Sequence, residues 1–135
     1  MALNFRHPAI ILLDSNFLMS LAQMRIHLSQ ELDTLLGTYV LVIPSFVLEE
    51  LEKLKQKGGK RGGEAKFAIK LANHIAKELL VSCAHPLTVD ECLVQLASQI
   101  QNCLVATNDQ KLRKTLRAAY IKSIFIRGNQ KLEIG

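Results

Sequence analysis

The sequence is poor in aromatic residues and in cysteine, and these shortages exclude several kinds of site. Its 135 residues contain no tryptophan, and only 5% of them are aromatic, so a nucleic-acid surface built on broad stacking platforms is not expected. The cysteines, Cys83, Cys92 and Cys103, are odd in number and show no CxxC spacing. That pattern argues against a disulfide framework and against a cysteine-based zinc site. We therefore expect three small core thiols in a reducing compartment.

Long apolar segments and glycine-rich nucleotide loops are also missing. The N-terminal apolar run, Ala9–Leu13, stops at Asp14 and is too short for a signal peptide or a membrane span. We therefore expect a cytoplasmic protein without a membrane partner. No phosphate-binding loop of the P-loop or dinucleotide type is present, and no histidine has metal-binding spacing with the cysteines.

Apolar runs alternate with segments of helical periodicity along the chain. At 15.1 kDa, residues 1–135 have the size of a single domain. Runs typical of strands buried on both faces occur at Ala9–Leu13, Val40–Ile43, Leu79–Ala84, Leu104–Thr107 and Ile121–Ile126. Their alternation with helices predicts an α/β fold, a three-layer α/β/α sandwich around a central, mainly parallel sheet of about five strands. A further edge hairpin strand is a candidate within residues 128–135.

The connections between these runs contain signals for helix ends. Ser15–Gly37 is long enough for two helices, with its glycine as a stop. A third helix is predicted over Ser45–Lys57, with Ser45 as a candidate N-cap. Gly58–Gly63 then predicts a flexible basic loop, after which a helix resumes. Thr88 and Glu91 have the spacing of a capping box at the start of the next helix.

Four acids lie where an apolar segment meets a helix start or beside the apolar stripe of a helix: Asp14, Glu50, Asp90 and Asp109. Carboxylates that converge at the carboxyl edge of a sheet need either raised pKa values or a hard divalent cation. Mg²⁺ or Mn²⁺ suits such a site, because these ions prefer oxygen ligands and keep waters that phosphate can replace. Simpler interpretations remain open: Asp14 and Asp109 as N-caps, and Glu50 as the partner of a lysine.

Helical rotation separates two of these acids from their acidic neighbours. At about 100° per residue, Glu50 falls at the edge of the apolar stripe of its helix, whereas Glu49 and Glu52 point away. The same rotation places Asp90 on an inward face and Glu91 outside it. An isolated buried carboxylate is costly, so the two inward acids need a partner or a ligand.

Four short segments around these acids resemble the four acidic motifs of PIN-domain nucleases, in the order of that family. They are Ile11–Asn16 (ILLDSN), Pro44–Leu51 (PSFVLEEL), Thr88–Leu93 (TVDECL) and Ala106–Leu112 (ATNDQKL). The resemblance covers nearly the whole chain. It is strongest to the PIN endonucleases of small-subunit ribosomal RNA processing, with VapC-type toxins as the other close group.

What the resemblance implies is a parallel sheet flanked by helices whose carboxylates hold Mg²⁺ or Mn²⁺. Such enzymes cut single-stranded RNA and leave a 5′-phosphate and a 3′-hydroxyl. The four acids would be the catalytic metal ligands, with one or two ions left open. Asn16 and Thr107 would be supporting polar groups that orient acids or metal waters, and Asn108 would touch either the metal shell or only the turn.

The charge of the chain favours polyanionic partners. The net charge is +5 and the pI is about 9.3. Basic residues cluster around the glycines and after Asp109, and the candidates for RNA contact are Lys57, Lys60, Arg61, Lys111 and Arg113. The competing interpretation of each cluster is an ordinary solvated helix face.

The sequence therefore predicts a divalent-metal-dependent endoribonuclease acting on single-stranded RNA in ribosomal RNA processing. One alternative is a VapC-like toxin ribonuclease, and another is a catalytically weak PIN-fold scaffold that binds RNA. A receiver-like signalling domain fits poorly, because Asp14 has no adjacent acid. Besides RNA, the candidate partners are a second copy of the chain and a ribosome-assembly or antitoxin protein.

Overall fold

A computed structural model describes residues 7–24, 26–128 and 130–135. Its elements are β1 (Ala9–Leu13), α1 (Ser15–Leu21), α2 (Leu28–Leu36), β2 (Tyr39–Pro44), α3 (Ser45–Lys57), α4 (Gly59–Ile75), β3 (Lys77–Leu79), α5 (Val89–Gln99), β4 (Cys103–Ala106), α6 (Gln110–Ala118), β5 (Lys122–Arg127) and β6 (Lys131–Ile134). Of the helices within these ranges, none is both long and apolar enough to cross a membrane.

The strands form one sheet in the order β3-β2-β1-β4-β5-β6. The first five strands along the chain pair in parallel, and β6 runs antiparallel to β5. In the central strand β1, the side chains of Ile11, Leu12 and Leu13 are completely buried, as a continuous apolar run predicts. The mainly parallel sheet is confirmed, with β6 as the edge hairpin strand.

Helices cover both faces of the sheet, which gives the predicted three layers. Right-handed crossovers put α1 to α4 on one face and α5 and α6 on the other. In agreement, α4 packs against α1 and α3, while α5 contacts α6. The chain leaves β1 towards β2 on one side, and β4 lies on the other side. The carboxyl ends of β1 and β4 thus form a switch point, the place where open α/β sheets bind ligands.

Most helix ends follow the sequence signals. Gly37 ends α2 with a φ of 74°. At the start of α5, the Glu91 amide donates to Thr88 Oγ1 over 3.2 Å, and the Thr88 amide donates to Glu91 Oε1 over 2.9 Å, which completes the capping box. One detail differs at α3, where Pro44 is the N-cap and Ser45 is the first helical residue.

The predicted glycine loop is wrong, because α4 already begins at Gly59. Gly62 is buried, and a Cβ on it would lie 3.2 Å from the Lys55 carbonyl and 3.3 Å from the Leu54 carbonyl. The missing side chain therefore allows α4 to approach α3 closely. That packing offsets the low helix propensity of glycine, which is about 1 kcal/mol per residue.

The predicted strand Leu79–Ala84 is also wrong, because β3 ends at Leu79. Beyond it, the Ser45 hydroxyl donates to the Val81 carbonyl over 2.7 Å and accepts from the Val81 amide over 2.8 Å. The Ser45 side chain thus forms the hydrogen bonds that a neighbouring strand would otherwise form with the backbone of Val81. The chain leaves the sheet at this point and continues towards α5.

The prediction of three free thiols is wrong as well. Cys83 and Cys92 form a disulfide over a sequence separation of 9, because the segment after β3 folds back onto the first turn of α5. The spacing of the cysteines along the chain could not predict this disulfide. Cys103 is a free, half-buried cysteine, and burial raises its pKa to about 12.

Candidate active site

Asp14 lies at the switch point, held between β1 and β4. Leu13 pairs with Ala106 in the ladder, and the Asp14 amide donates to the Ala106 carbonyl over 3.0 Å. Thr107, the residue that follows β4, therefore lies beside Asp14, and its hydroxyl donates to Asp14 Oδ2 over 2.7 Å. The Ser15 amide donates to Oδ1 over 2.8 Å. Asp14 is thus the N-cap of α1, and it also faces the other acids.

The surroundings of Asp14 disfavour its charge. The side chain is only 3% exposed, and burial raises the pKa of its carboxyl from 3.8 to about 6. The hydrogen bonds from Thr107 and Ser15 oppose the increase in pKa, whereas the nearby charges of Asp90 and Glu50 add to it. A cation bound here would relieve this cost by favouring the ionised carboxylate.

Glu50 turns inward from α3, as helical rotation predicts. Its Oε1 atom is buried without a hydrogen-bond partner, whereas Glu49 and Glu52 are exposed. Among the residues that the structure describes, no lysine or arginine forms a salt bridge with Glu50; Lys55 pairs with Glu52 over 3.9 Å instead. The ion-pair interpretation of Glu50 is therefore wrong within these residues. A buried, unpartnered carboxylate oxygen is costly unless a ligand reaches it.

Asp90 and Asp109 approach from the opposite side of the sheet. Half-buried Asp90 has a raised pKa, caused first by burial and then by the charges of Asp109 and Glu50, while Lys111 lowers it. Asp109 caps α6, accepting from the amides of Lys111 over 2.9 Å and Leu112 over 3.2 Å. Both bonds use Oδ1, so capping engages one of its two carboxylate oxygens.

The four acids therefore form one electrostatically connected group. Asp14 interacts with Asp90 and Glu50, and Asp90 interacts with Asp109 and Glu50. Across residues 7–24, 26–128 and 130–135, no three histidine, cysteine or acidic side chains already lie close enough together to hold a metal ion. The donor set nevertheless fits a hard divalent ion, since it consists of carboxylate oxygens and includes the unpartnered Glu50 Oε1.

Polar neighbours hold two of these acids in place. The Thr107 hydroxyl, which donates to Asp14, also accepts from the Asp109 amide over 3.2 Å. Asn16 Oδ1 accepts from the Asn108 amide over 3.1 Å and lies 3.3 Å from Thr107 Oγ1. Thr107 thus contacts two of the acids directly, whereas Asn16 holds the backbone of Asn108, the residue before Asp109.

Both polar atoms of the Asn108 side chain form hydrogen bonds within the fold. Its Nδ2 donates to Ser20 Oγ over 3.1 Å, and its Oδ1 accepts from the Ile126 amide over 3.0 Å. Between the two interpretations offered by the sequence, these bonds favour the one in which Asn108 holds only the turn. Sequence reasoning missed Ser20, since nothing in the chain signals a contact between residues 88 positions apart.

The five basic candidates for RNA contact are placed differently. Lys57, Lys60, Arg61 and Lys111 are exposed. Arg113 is half-buried instead: its guanidinium lies 3.4 Å from the centroid of the Phe125 ring, and its Nε donates to Ser123 Oγ over 3.3 Å. Burial also lowers the pKa of Arg113. These contacts make Arg113 a packing residue that joins α6 to β5.

The sequence model of the family described as PIN like domain matches residues 11–129. The chain belongs to this family. The resemblance inferred from the four acidic segments is therefore confirmed.

Proteins similar to this PIN-like domain include a ribonuclease and an rRNA-processing protein. It is 31% identical over 122 residues to ribonuclease VapC4 of Methanocaldococcus jannaschii. That alignment covers 90% of this chain and 92% of the relative. It is 35% identical over 114 residues to the rRNA-processing protein fcf1 of Schizosaccharomyces pombe, covering 82% of this chain and 54% of the relative. The PIN-like domain thus spans about half the length of the fcf1 relative.

A solved structure has the same fold. The PIN domain endonuclease Utp24 superposes with a TM-score of 0.76 at 27% sequence identity, covering 94% of this chain and 91% of that chain. The PIN-like domain is thus related to nucleases in both sequence and fold.

Proposed function

We propose that this PIN-like domain is an endoribonuclease that depends on Mg²⁺ or Mn²⁺ and hydrolyses single-stranded RNA. The observation that carries the proposal is the electrostatic coupling of four acids around the switch point of the sheet, together with the buried, unpartnered Oε1 atom of Glu50. The nuclease relatives support it.

The acids and Thr107 would have different roles in this site. Asp14, Glu50, Asp90 and Asp109 would hold the divalent ion, which supplies an activated water and positive charge for the phosphate when bound. Thr107 keeps Asp14 and Asp109 at a fixed separation through its two hydrogen bonds. The low exposure of Asp14 limits competition from bulk water at this carboxylate.

Exposed lysine and arginine side chains would hold the RNA backbone. Lys57 ends α3, Lys60 and Arg61 lie in the first turn of α4, and Lys111 lies in the first turn of α6. Contacts of this kind neutralise phosphates without reading bases, so RNA affinity would fall as salt is added.

We assign the RNA to ribosomal RNA processing, in line with the similarity to fcf1. The second candidate is a VapC-type ribonuclease controlled by an inhibitory protein partner, which the match over 92% of VapC4 favours. Growth arrest on expression, relieved by a neighbouring gene product, would support the second role. Cleavage confined to precursor ribosomal RNA would support the first.

Two adjacent acids allow a matched test of the chemistry. Glu50→Gln neutralises the inward acid of α3, and Glu49→Gln neutralises its exposed neighbour. With purified protein, single-stranded RNA and Mn²⁺, the wild type and Glu49→Gln should cleave. Glu50→Gln should lose more than about 100-fold in rate, since even partners of metal ligands are worth about 10–100-fold.

Two outcomes would overturn the proposal. One is cleavage by the wild type in EDTA at the rate seen with Mn²⁺, and the other is full activity of Glu50→Gln. Salt-sensitive RNA binding without cleavage in any divalent ion would instead favour the RNA-binding scaffold.

A further inference from the structure

A groove of about 610 Å³ lies between α5 and α6, directly beside the acids. Asp90 belongs both to the acid group and to the groove lining. Lys111 also lines the groove and is close enough to Asp90 to lower the pKa of its carboxyl. Whatever occupies the groove is therefore adjacent to a phosphate held at the acids.

We propose that this groove binds one unstacked base of the RNA substrate, from the nucleotide next to the scissile phosphate. The inference rests on the proposed endoribonuclease function and specifies how that site selects its substrate. It requires a single-stranded target, because a base within a duplex cannot turn out into a groove without unpairing.

The chemistry of the lining suits a base. Leu87 and Val94, which are half-buried, supply aliphatic surface for the flat faces of the ring. Gln95 and Thr115 add a side-chain amide and a hydroxyl that can meet the polar edge of a base. Aliphatic walls with a few polar groups, in a space of this size, are typical of small-ligand sites.

The groove favours a nucleotide over a peptide through its position beside the proposed metal site, since its own lining carries two acids, Asp90 and Glu91, and one cation, Lys111. Lys111 stands at the end nearest the acids and offers an ammonium group to the phosphate of the bound nucleotide. The net charge of +5 draws a polyanion to the molecule. A protein segment in the groove is the competing occupant, and the oligomeric state of the variants below detects a second copy of the chain there.

Two exposed threonines allow a matched test. Thr115 in the groove donates to the Lys111 carbonyl over 3.2 Å, and Thr34 on α2 donates to the Gln30 carbonyl over 3.0 Å. Both are helical, both are exposed, and both bond four residues back. Thr115→Tyr would fill the groove, whereas Thr34→Tyr adds the same ring away from the acids.

The substrates are short RNA oligonucleotides with one mapped cleavage position, intact or carrying a single abasic nucleotide on either side of it. For the wild type and Thr34→Tyr in Mn²⁺, one of the abasic substitutions should raise KM about tenfold, the scale of one base contact. Thr115→Tyr should cleave intact and abasic substrates with the same, raised KM. Gln95→Ala should still cleave but change the preference among the four bases at that position, whereas Gln56→Ala on α3 should not.

Failure of this inference differs from failure of the proposed function. If the wild type cleaves RNA but treats intact and abasic substrates alike, the groove binds no base and the endoribonuclease stands. The groove also binds no base if Thr115→Tyr still distinguishes intact from abasic substrates. The same conclusion follows if Thr115→Tyr changes the oligomeric state in gel filtration without changing KM. If the wild type cleaves no RNA in either Mg²⁺ or Mn²⁺, both proposals are overturned.

Discussion

The Thr107 hydroxyl donates a hydrogen bond of 2.7 Å to Asp14, linking the residue after β4 to the residue after β1. The same hydroxyl accepts from the Asp109 amide. One completely buried side chain therefore orders two of the four acids, and its bond keeps the pKa of Asp14 lower than burial alone would make it.

Replacing this hydroxyl should weaken metal binding while preserving shape. Thr107→Val is close to isosteric, but it leaves Asp14 Oδ2 without its donor, so the pKa of Asp14 should rise further. We predict about a tenfold loss of Mn²⁺ affinity and a loss of about 1–3 kcal/mol in the free energy of unfolding. Titration calorimetry with Mn²⁺ and urea unfolding measure the two effects. Thr107→Ser, which keeps the hydroxyl, should retain most of both quantities, and equal losses in the two variants would contradict the role given to the bond.

The free energy of unfolding should depend on pH because the pKa of Asp14 is raised in the folded protein. Its pKa in the folded protein is about 6, above the ordinary value of 3.8, so between these values the folded state binds more protons at this group than the unfolded chain. Raising the pH through that window should therefore destabilise the metal-free protein, by about 3 kcal/mol in total. Asp14→Asn should remove this contribution and be more stable than the wild type at pH 7.

Urea unfolding in EDTA, from pH 4 to pH 7, measures the effect as the difference between the two proteins. Titrating groups that do not interact with Asp14 cancel in that difference, so what remains belongs to Asp14 and its coupling to Asp90 and Glu50. A difference that does not change across the window would refute the assignment to Asp14.

The basic side chains should divide into two kinds. We predict that the double change Lys60→Ala and Arg61→Ala lowers RNA affinity and reduces the slope of log affinity against log salt by about 1.4, or about 0.7 per lost contact. Arg113→Ala should keep the wild-type slope and instead lose about 1 kcal/mol of folding stability through the Phe125 contact.

Fluorescence anisotropy of a labelled single-stranded RNA at several salt concentrations gives the slopes, and urea unfolding gives the stabilities. A reduced slope for Arg113→Ala would mean that its guanidinium reaches RNA despite its contacts with Phe125 and Ser123.

The disulfide should stabilise the segment that leads to Asp90. Cys83→Ser removes a cross-link over a sequence separation of 9, and the chain-entropy argument gives a loss of about 2–3 kcal/mol. Cys103→Ser is the control, because Cys103 is free. Urea midpoints measured with and without dithiothreitol should shift for the wild type and Cys103→Ser but not for Cys83→Ser. An unchanged wild-type midpoint would mean that no such bond contributes in solution.

Local patterns in the sequence were enough to predict much of the candidate site. Asp14 and Thr107 directly follow apolar runs, and parallel neighbours in a sheet bring such positions together. Helical rotation correctly turned Glu50 inward and Glu49 outward, because that inference needs only the geometry of one helix.

The errors arose where distant parts of the chain meet. Gly62 looked like a loop residue because its helix is stabilised by packing on α3, which no local pattern reveals. The contact of Arg113 with Phe125 could not be predicted either, because Phe125 belongs to a later strand; whether Arg113 also contacts RNA stays a prediction. The Cys83–Cys92 bond depends on a reversal of the chain after β3, and spacing alone does not encode it.

Asn108 ties the turn before Asp109 to the Ile126 amide in β5 and to Ser20 in α1. The position of one acid therefore depends on a strand that contributes no acid at all. A chain cut after Tyr120 would keep all four carboxylates and still lose the donor that anchors this turn. The hairpin of β5 and β6 therefore supports the position of Asp109 from outside the group of acids.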